Sequence, residues 1–365
     1  MTPALLLAAA LQAASLPLAA PDALPLARVQ AVDKAMAAAM ARLGIPGLTA
    51  AVALGSDRLW SKGYGVADVE NGVPAGEQTM YRLASVTKPI TAVAVLQLVE
   101  RGKLDLNVPI QRYAPSFPEK PRPITARLLL AHQAGLRHWN DDEWVLTRHY
   151  TSLDEALALF KDDPLLFEPG TRAQYSSPGY NLLGRALEGA AGHSYLAYLR
   201  ENVFTPAGME TARDDDVLEI IPHRARGYAR RATGELGNSR LSDTSNKIAG
   251  GGLIPTAADV ARFGAALLEG KLIQKATLLR MCTRQKTRDG RLTEYGLGLH
   301  VTEKRKQLEC WHRGGQPQVS TILYLRPARG LTVVLLCNLE NVSAQLLDLA
   351  REVADLALPP ANAGR

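Results

Sequence analysis

The chain has 365 residues, of which 47% are hydrophobic and 21% charged, and 42 Lys plus Arg against 36 Asp plus Glu leave a formal charge of +6. At roughly 150 residues per domain this is one large or two moderate domains with a sizeable core, which excludes disorder and a coiled coil. The charge is spread without long single-sign runs. Its densest basic stretch, residues 223–231, holds one aromatic, Tyr228, among Ala and Gly. That is the pattern of a solvated loop or edge, and no nucleic-acid partner is expected.

Residues 1–11 form an apolar run too short to span a bilayer, and the small residues after it offer a cleavage site behind Ser15 or Ala20. Residues 1–20 therefore read as a signal peptide of a periplasmic or secreted protein, with no other segment apolar enough to cross a membrane. The only positive charge of the leader is the terminal amine, so an uncleaved anchor stands as the alternative. Three widely spaced cysteines, Cys282, Cys310 and Cys337, write neither a disulfide framework nor a CxxC site. Cys337 lies in the apolar run 331–337 and reads as a buried small hydrophobe.

Helical spacing runs over residues 26–43 and is stopped by Gly44-Ile45-Pro46-Gly47. Two short apolar runs, 48–54 and 59–66, joined by Gly55-Ser56-Asp57, predict a β-hairpin. Residues 85–101 predict an apolar, buried helix with Pro89 near its first turn and Gly102 at its end. The middle reads as helix and loop, with helices over 125–132, 152–161, 177–190 and 195–204. Strands return at 307–312, 319–325 and 331–338, with a tight Pro327-Ala328-Arg329-Gly330 turn, and residues 342–356 close the chain as an amphipathic helix.

The expected fold class is α/β (α+β): an antiparallel sheet built from both chain ends and flanked by helices, with an inserted, mostly helical region. The expected division is 1–20 signal peptide, 21–110 plus 239–358 the sheet part, 111–238 the helical insertion and 359–365 a flexible tail.

No HExxH, GxSxG, Walker loop or GxGxxG is present, which removes the usual support for zinc protease, α/β-hydrolase, P-loop and Rossmann chemistry. His132 and His138, six residues apart with Gly135 between, read as structural rather than metal ligands. Ser85-Val86-Thr87-Lys88 places a hydroxyl and an amine on one face of a helix start, beside free backbone N–H groups. A serine is a poor nucleophile at its free pKa, and a lysine whose pKa is lowered by burial can take its proton. SxxK alone is weak, because 14 Ser and 12 Lys in 365 residues predict about half an occurrence by chance. Tyr175-Ser176-Ser177 adds a phenol and a hydroxyl on a loop before a helix, and Trp311-His312-Arg313-Gly314-Gly315 adds a histidine at a strand end beside glycines that admit a substrate carbonyl.

In this order SxxK, YxS and HxGG, with Leu129-Leu130-Ala131-His132-Gln133-Ala134-Gly135-Leu136, Ala249-Gly250-Gly251-Gly252-Leu253 and Tyr295-Gly296-Leu297-Gly298, resemble the serine β-lactamase and penicillin-binding-protein superfamily in its class C-like branch. The match runs from about Leu26 to Asn338. Residues 67–71, 102–106, 117–120 and 136–139 bring the chain nearest to the mitochondrial serine β-lactamase-like proteins and their bacterial relatives.

The resemblance implies Ser85 as acylated nucleophile, Lys88 as its base or electrostatic partner and Tyr175 as proton relay. It implies an oxyanion hole of the Ser85 and Gly315 N–H groups, with His312 in the place of the third motif's basic residue. Ser177, His312, Arg313 and Gly314 would meet the substrate. Ser177 stands where many relatives have Asn, and Arg313 where they usually have Thr. Arg313 is expected to favour a carboxylate next to the scissile bond.

The expectation is a secreted serine hydrolase that cleaves peptide, D-amino-acid peptide or ester bonds, including peptidoglycan-derived ones, without metal or cofactor. The rivals are a β-lactamase proper and a non-hydrolytic penicillin- or peptidoglycan-binding or filament-forming protein. The sequence sets no oligomeric state.

Overall fold

The structure is a computed structural model and describes residues 24–304 and 306–358. The expected signal peptide and the expected tail from 359 lie outside the described residues. Helix α1 (Leu26–Leu43) has the expected bounds, and Gly44 ends it at φ 61°, a left-handed conformation in which its N–H bonds the Met40 carbonyl. Strands β1 (Gly47–Leu54), β2 (Leu59–Asp68) and β3 (Val73–Pro74) follow, and then helix α2 (Thr87–Glu100), buried from Thr87 to Leu98. Further along come α3 (Pro178–Ala191) and α4 (Ala257–Glu269). The chain then forms β4 (His300–Lys304), β5 (Gln307–Gln316), β6 (Val319–Arg326) and β7 (Leu331–Cys337), and α5 (Ser343–Ala357) closes the described part.

All seven strands make one antiparallel sheet in the order β3-β2-β1-β7-β6-β5-β4. The two chain ends meet where β1 pairs with β7, from Leu48↔Cys337 to Leu54↔Leu331. Every residue of β7 is buried, because helices cover both faces of the sheet there. On one face, Val32 and Met36 of α1 and Leu346, Ala350 and Val353 of α5 pack on Leu48, Ala50, Val333 and Leu335. On the other, α4 lies on β1 and β7, and α2 runs through the middle of the second core, flanked by α3 and the Ile248–Gly251 turn. At about 25 cal/mol per Å² of apolar surface removed from water, these two cores are the main stabilising term.

Several elements depart from expectation. The stretch read as helix and loop also holds a small hairpin, Tyr228–Arg230 with Leu236–Asn238, and a strand Arg213–Asp214 that pairs with Leu253–Ile254. The basic stretch 223–231 thus includes a strand whose Tyr228 is buried, its hydroxyl accepting the Val69 N–H. Strand β5 runs to Gln316, so the third motif sits inside a strand rather than at its end. Strand β4 and the helices Ala257–Glu269 and Lys275–Met281 go beyond the expected elements. Cys282, Cys310 and Cys337 are all reduced and buried.

Candidate active site

Ser85 sits in a single 3₁₀ turn, Ala84–Val86, that feeds directly into α2. The residue before it, Ala84, is buried and has φ 49°. A non-glycine residue in the left-handed region costs about 1 kcal/mol or more and persists only where neighbours fix it. Here the Leu83 N–H bonds the Leu253 carbonyl at 2.7 Å, and the Leu83 carbonyl accepts from Thr321 Oγ1 at 2.8 Å. Both bonds anchor the chain just ahead of the serine.

Lys88, in the first turn of α2, is wholly buried. Its Nζ lies 3.0 Å from Ser85 Oγ, 2.9 Å from Ser177 Oγ and 2.6 Å from the Gly250 carbonyl oxygen. The Tyr175 and Tyr180 rings stand 5.0 and 5.4 Å from it. Among the described residues it has no carboxylate in salt-bridge contact. Burial therefore pushes its pKa well below the usual lysine value. A neutral amine has two N–H donors and one lone pair. The Gly250 carbonyl can only accept, and with Ser177 taking the second donor, the lone pair is left for the Ser85 hydroxyl.

Tyr175 precedes α3 on a loop held by two imidazoles. His132 Nδ1 accepts the Ser176 N–H at 3.2 Å, and His138 Nδ1 accepts the Ser177 N–H at 3.3 Å. The His132 ring lies 4.3 Å from that of Tyr175, and the His138 ring meets it edge-on at 5.5 Å. Both imidazoles are held neutral, chiefly by burial, which drives His132 well below 6.5 and pushes His138 down to about 4. Neutrality is what lets each Nδ1 accept. Burial raises Tyr175 above the ordinary phenol value, offset in part by the Ser85 and Ser177 hydroxyls beside it and by the charge of Arg313. It is therefore a neutral phenol at pH 7.

In the third motif His312 is buried, and burial drives its pKa well below 6.5, so the basic residue in this place is a neutral imidazole. Its Nδ1 lies 2.8 Å from the Arg313 carbonyl, which can only accept; the proton is on Nδ1 and Nε2 presents a lone pair. The ring faces Tyr175 at 6.2 Å between centroids. Packing by itself requires Gly314: a Cβ there would fall 2.0 Å from Thr321 Oγ1 and 2.6 Å from the Leu83 carbonyl oxygen. At Gly315 the nearest atom to a Cβ is Ser343 Oγ at 3.6 Å, ordinary contact distance. The exposed Arg313 alternates to the side of Trp311 and lies over its ring at 5.6 Å. Pairing of β4 with β5 stops at His300↔Trp311, so the β5 edge from His312 onward is free beside Ser85.

Residues 32–358 match the family model described as Beta-lactamase. The chain belongs to the β-lactamase family. It is accordingly a hydrolase of the serine β-lactamase fold. It is 29% identical over 413 residues to the bovine (Bos taurus) mitochondrial serine beta-lactamase-like protein LACTB, covering 82% of this chain and 74% of that one. It is 36% identical over 197 residues to esterase EstB of Burkholderia gladioli, covering 49% and 48% of the two chains. The D-amino acid amidase of Ochrobactrum anthropi SV3, solved with L-phenylalanine amide, superposes with a TM-score of 0.78 at 24% identity over 90% of this chain and 98% of that one. The last comparison speaks for the shared fold.

Within this family fold, the structure brings Ser85, Lys88, Tyr175 and Ser177 together and sets His312 and Gly315 on the strand beside them. Three contributors have site roles that the sequence reading does not specify, although His132 and His138 read as structural. The Gly250 carbonyl is the third partner of Lys88, and the glycine run 250–252 was its only signal. His132 and His138 anchor the Tyr175 loop, and nothing in their spacing announces it, because each reaches across about forty residues to its partner.

Proposed function

We propose that the protein hydrolyses ester and amide bonds, peptide and D-amino-acid peptide bonds among them, through an acyl-enzyme on Ser85. The observation that carries this is the buried Lys88 amine, 3.0 Å from Ser85 Oγ and, among the described residues, with no carboxylate in salt-bridge contact to keep it charged. As Ser85 Oγ attacks the substrate carbonyl carbon, its proton passes to the Lys88 lone pair. The resulting oxyanion is taken by the Ser85 and Gly315 N–H groups, which act in a water-poor site where each donor is worth about 3 kcal/mol. Collapse expels the alcohol or amine, which leaves with a proton delivered through Tyr175. A water then enters, gives its proton back along the same relay and attacks the acyl ester, which releases the acid and restores Ser85. Tyr175, a neutral phenol, passes protons on and does not act as a standing base. His312 Nε2 supplies an acceptor facing that relay.

Arg313 gives the substrate preference. Its side chain lies over Trp311, but its positive charge acts on Tyr175 from there, and it favours a substrate whose carboxylate lies next to the scissile bond. The esterase relative supports small ester substrates. The character of residues 1–20 supports export, with the mature protein outside the cytoplasm.

Intact mass after incubation with a fluorophosphonate tests the reaction. The wild type is expected to gain one adduct and Ser85→Ala none. An unlabelled wild type removes the proposal. Kinetics on short-chain esters, D-alanyl peptides and a cephalosporin then rank the substrates; turnover of the cephalosporin above the rest would make it a β-lactamase proper, and labelling without turnover of any would make it a binding protein. The same mass spectrum shows whether residues 1–15 have been removed.

A further inference from the structure

Away from Ser85, a cleft of about 460 Å³ is walled by Arg112, Arg127 and Arg280 together with Asp105, Asn107 and Tyr113. A second cleft of about 250 Å³ shares Arg127 and adds Gln133, Lys286 and Arg288. We propose that these two clefts, joined at Arg127, form a binding site for a small organic phosphate carrying several negative charges.

The first support is unspent positive charge. Among the described residues, no carboxylate lies within salt-bridge distance of Arg112, Arg127, Arg280 or Lys286. Arg127 spends only its Nε, which donates to Asn107 Oδ1 at 2.8 Å. The one acid of the first cleft, Asp105, turns an oxygen to the Asn107 N–H at 2.8 Å, and no acid lines the second. Of these cations only Arg288 is paired, with Glu168 at 2.7 Å.

The second support is like charge brought together. Arg127, half-buried, is pushed below its ordinary value by desolvation and then by the charge of Arg280, against a smaller opposing effect of Asp105. Such an arrangement costs the fold and is relieved by a bound anion.

The third support is independent of charge. Gln133 is 3% exposed in the wall of the second cleft, and its Nε2 has no hydrogen-bond partner among the described residues. A buried donor left unmade costs about 1–3 kcal/mol, and an acceptor oxygen entering the cleft recovers it.

A monocarboxylate would occupy one guanidinium fork. Three guanidinium groups, an ammonium and an amide spread over two connected clefts match an anion with several oxygens and more than one charge. None of these residues touches Ser85, so the proposal stands or falls apart from the hydrolase reading.

Calorimetric titration of the full chain with tripolyphosphate at about 0.15 M salt tests it, with acetate as the monovalent comparison. Saturable 1:1 binding of tripolyphosphate is expected, at least tenfold tighter than acetate. Arg127→Gln and Arg280→Gln should each raise Kd by tenfold or more, and Arg329→Gln, in the exposed turn between β6 and β7, should leave it unchanged. Arg280 lies on the exposed side of the helix Lys275–Met281, so its variant reads out binding even if Arg127→Gln fails to fold. Absence of saturable binding overturns the proposal. So does an equal loss in all three variants, which is the behaviour of diffuse attraction to a chain of charge +6.

Discussion

Replacing Lys88 by methionine separates the chemistry of the site from its stability. The substitution keeps most of the side-chain volume and removes the amine that lies 3.0 Å from Ser85 Oγ. General-base assistance is worth about 10²–10⁴ in rate, so kcat/KM for an activated ester is expected to fall by that factor while KM changes little. The wild-type pH–rate profile should rise on its acid side through a Lys88 pKa well below 10.5, and the variant should lose that limb. Stability responds in the opposite direction.

The wild type buries an amine whose folded pKa is depressed, so between that pKa and 10.5 the unfolded chain binds one more proton than the folded one. Folding stability therefore rises with pH in that window, by about 1.4 kcal/mol per pH unit, and is lost as pH falls through it. In Lys88→Met this slope should disappear. Against that stand the Ser177 hydroxyl and Gly250 carbonyl, each losing one hydrogen bond at about 1 kcal/mol. Ester kinetics from pH 5 to 10 and urea unfolding at the same pH values measure both. A loss in kcat/KM below tenfold would show that Lys88 is not the base, and an unchanged pH slope of stability would show that its amine is charged in the folded protein.

Gly314→Ala should lower stability by about 1–3 kcal/mol and displace β5 from Ser85, because its Cβ meets Thr321 Oγ1 at 2.0 Å, whereas Gly315→Ala, with nothing nearer than 3.6 Å, should unfold at the wild-type temperature; calorimetry distinguishes them. Arg313→Ala should lower kcat/KM for a substrate with a carboxylate beside the scissile bond about tenfold relative to its neutral analogue, and an unchanged ratio would sink the assigned preference. Asp215→Ala should cost about 3–5 kcal/mol in denaturant unfolding, since it strands the buried Arg82 guanidinium that Asp215 holds at 2.6 Å.

The sequence by itself determined the elements whose signals are local. Helix α1 ends where Gly44 supplies a left-handed residue, the β1–β2 hairpin follows from two apolar runs around Gly55, and β7 shows as an unbroken apolar run because helices lie on both of its faces. The order of SxxK, YxS and HxGG likewise carried the family. Short, half-polar β4 has no such signature, and its place is set by pairing with β5. The caps of α4, Thr256 and Gly270, were legible and mark a helix outside the expected set.

Tertiary structure alone decided the protonation of the site. The pKa of Lys88 is lowered because the fold surrounds it with hydroxyls, a carbonyl and two aromatic rings and, among the described residues, brings no carboxylate into salt-bridge contact, which spacing along a chain cannot express. The same burial makes His312 a neutral acceptor and lets the two histidines read as structural, His132 and His138, anchor the Tyr175 loop. Motif order names the groups that meet, and the dielectric and partners at the meeting point, assembled from residues up to about 230 positions apart, fix which of them carries the proton.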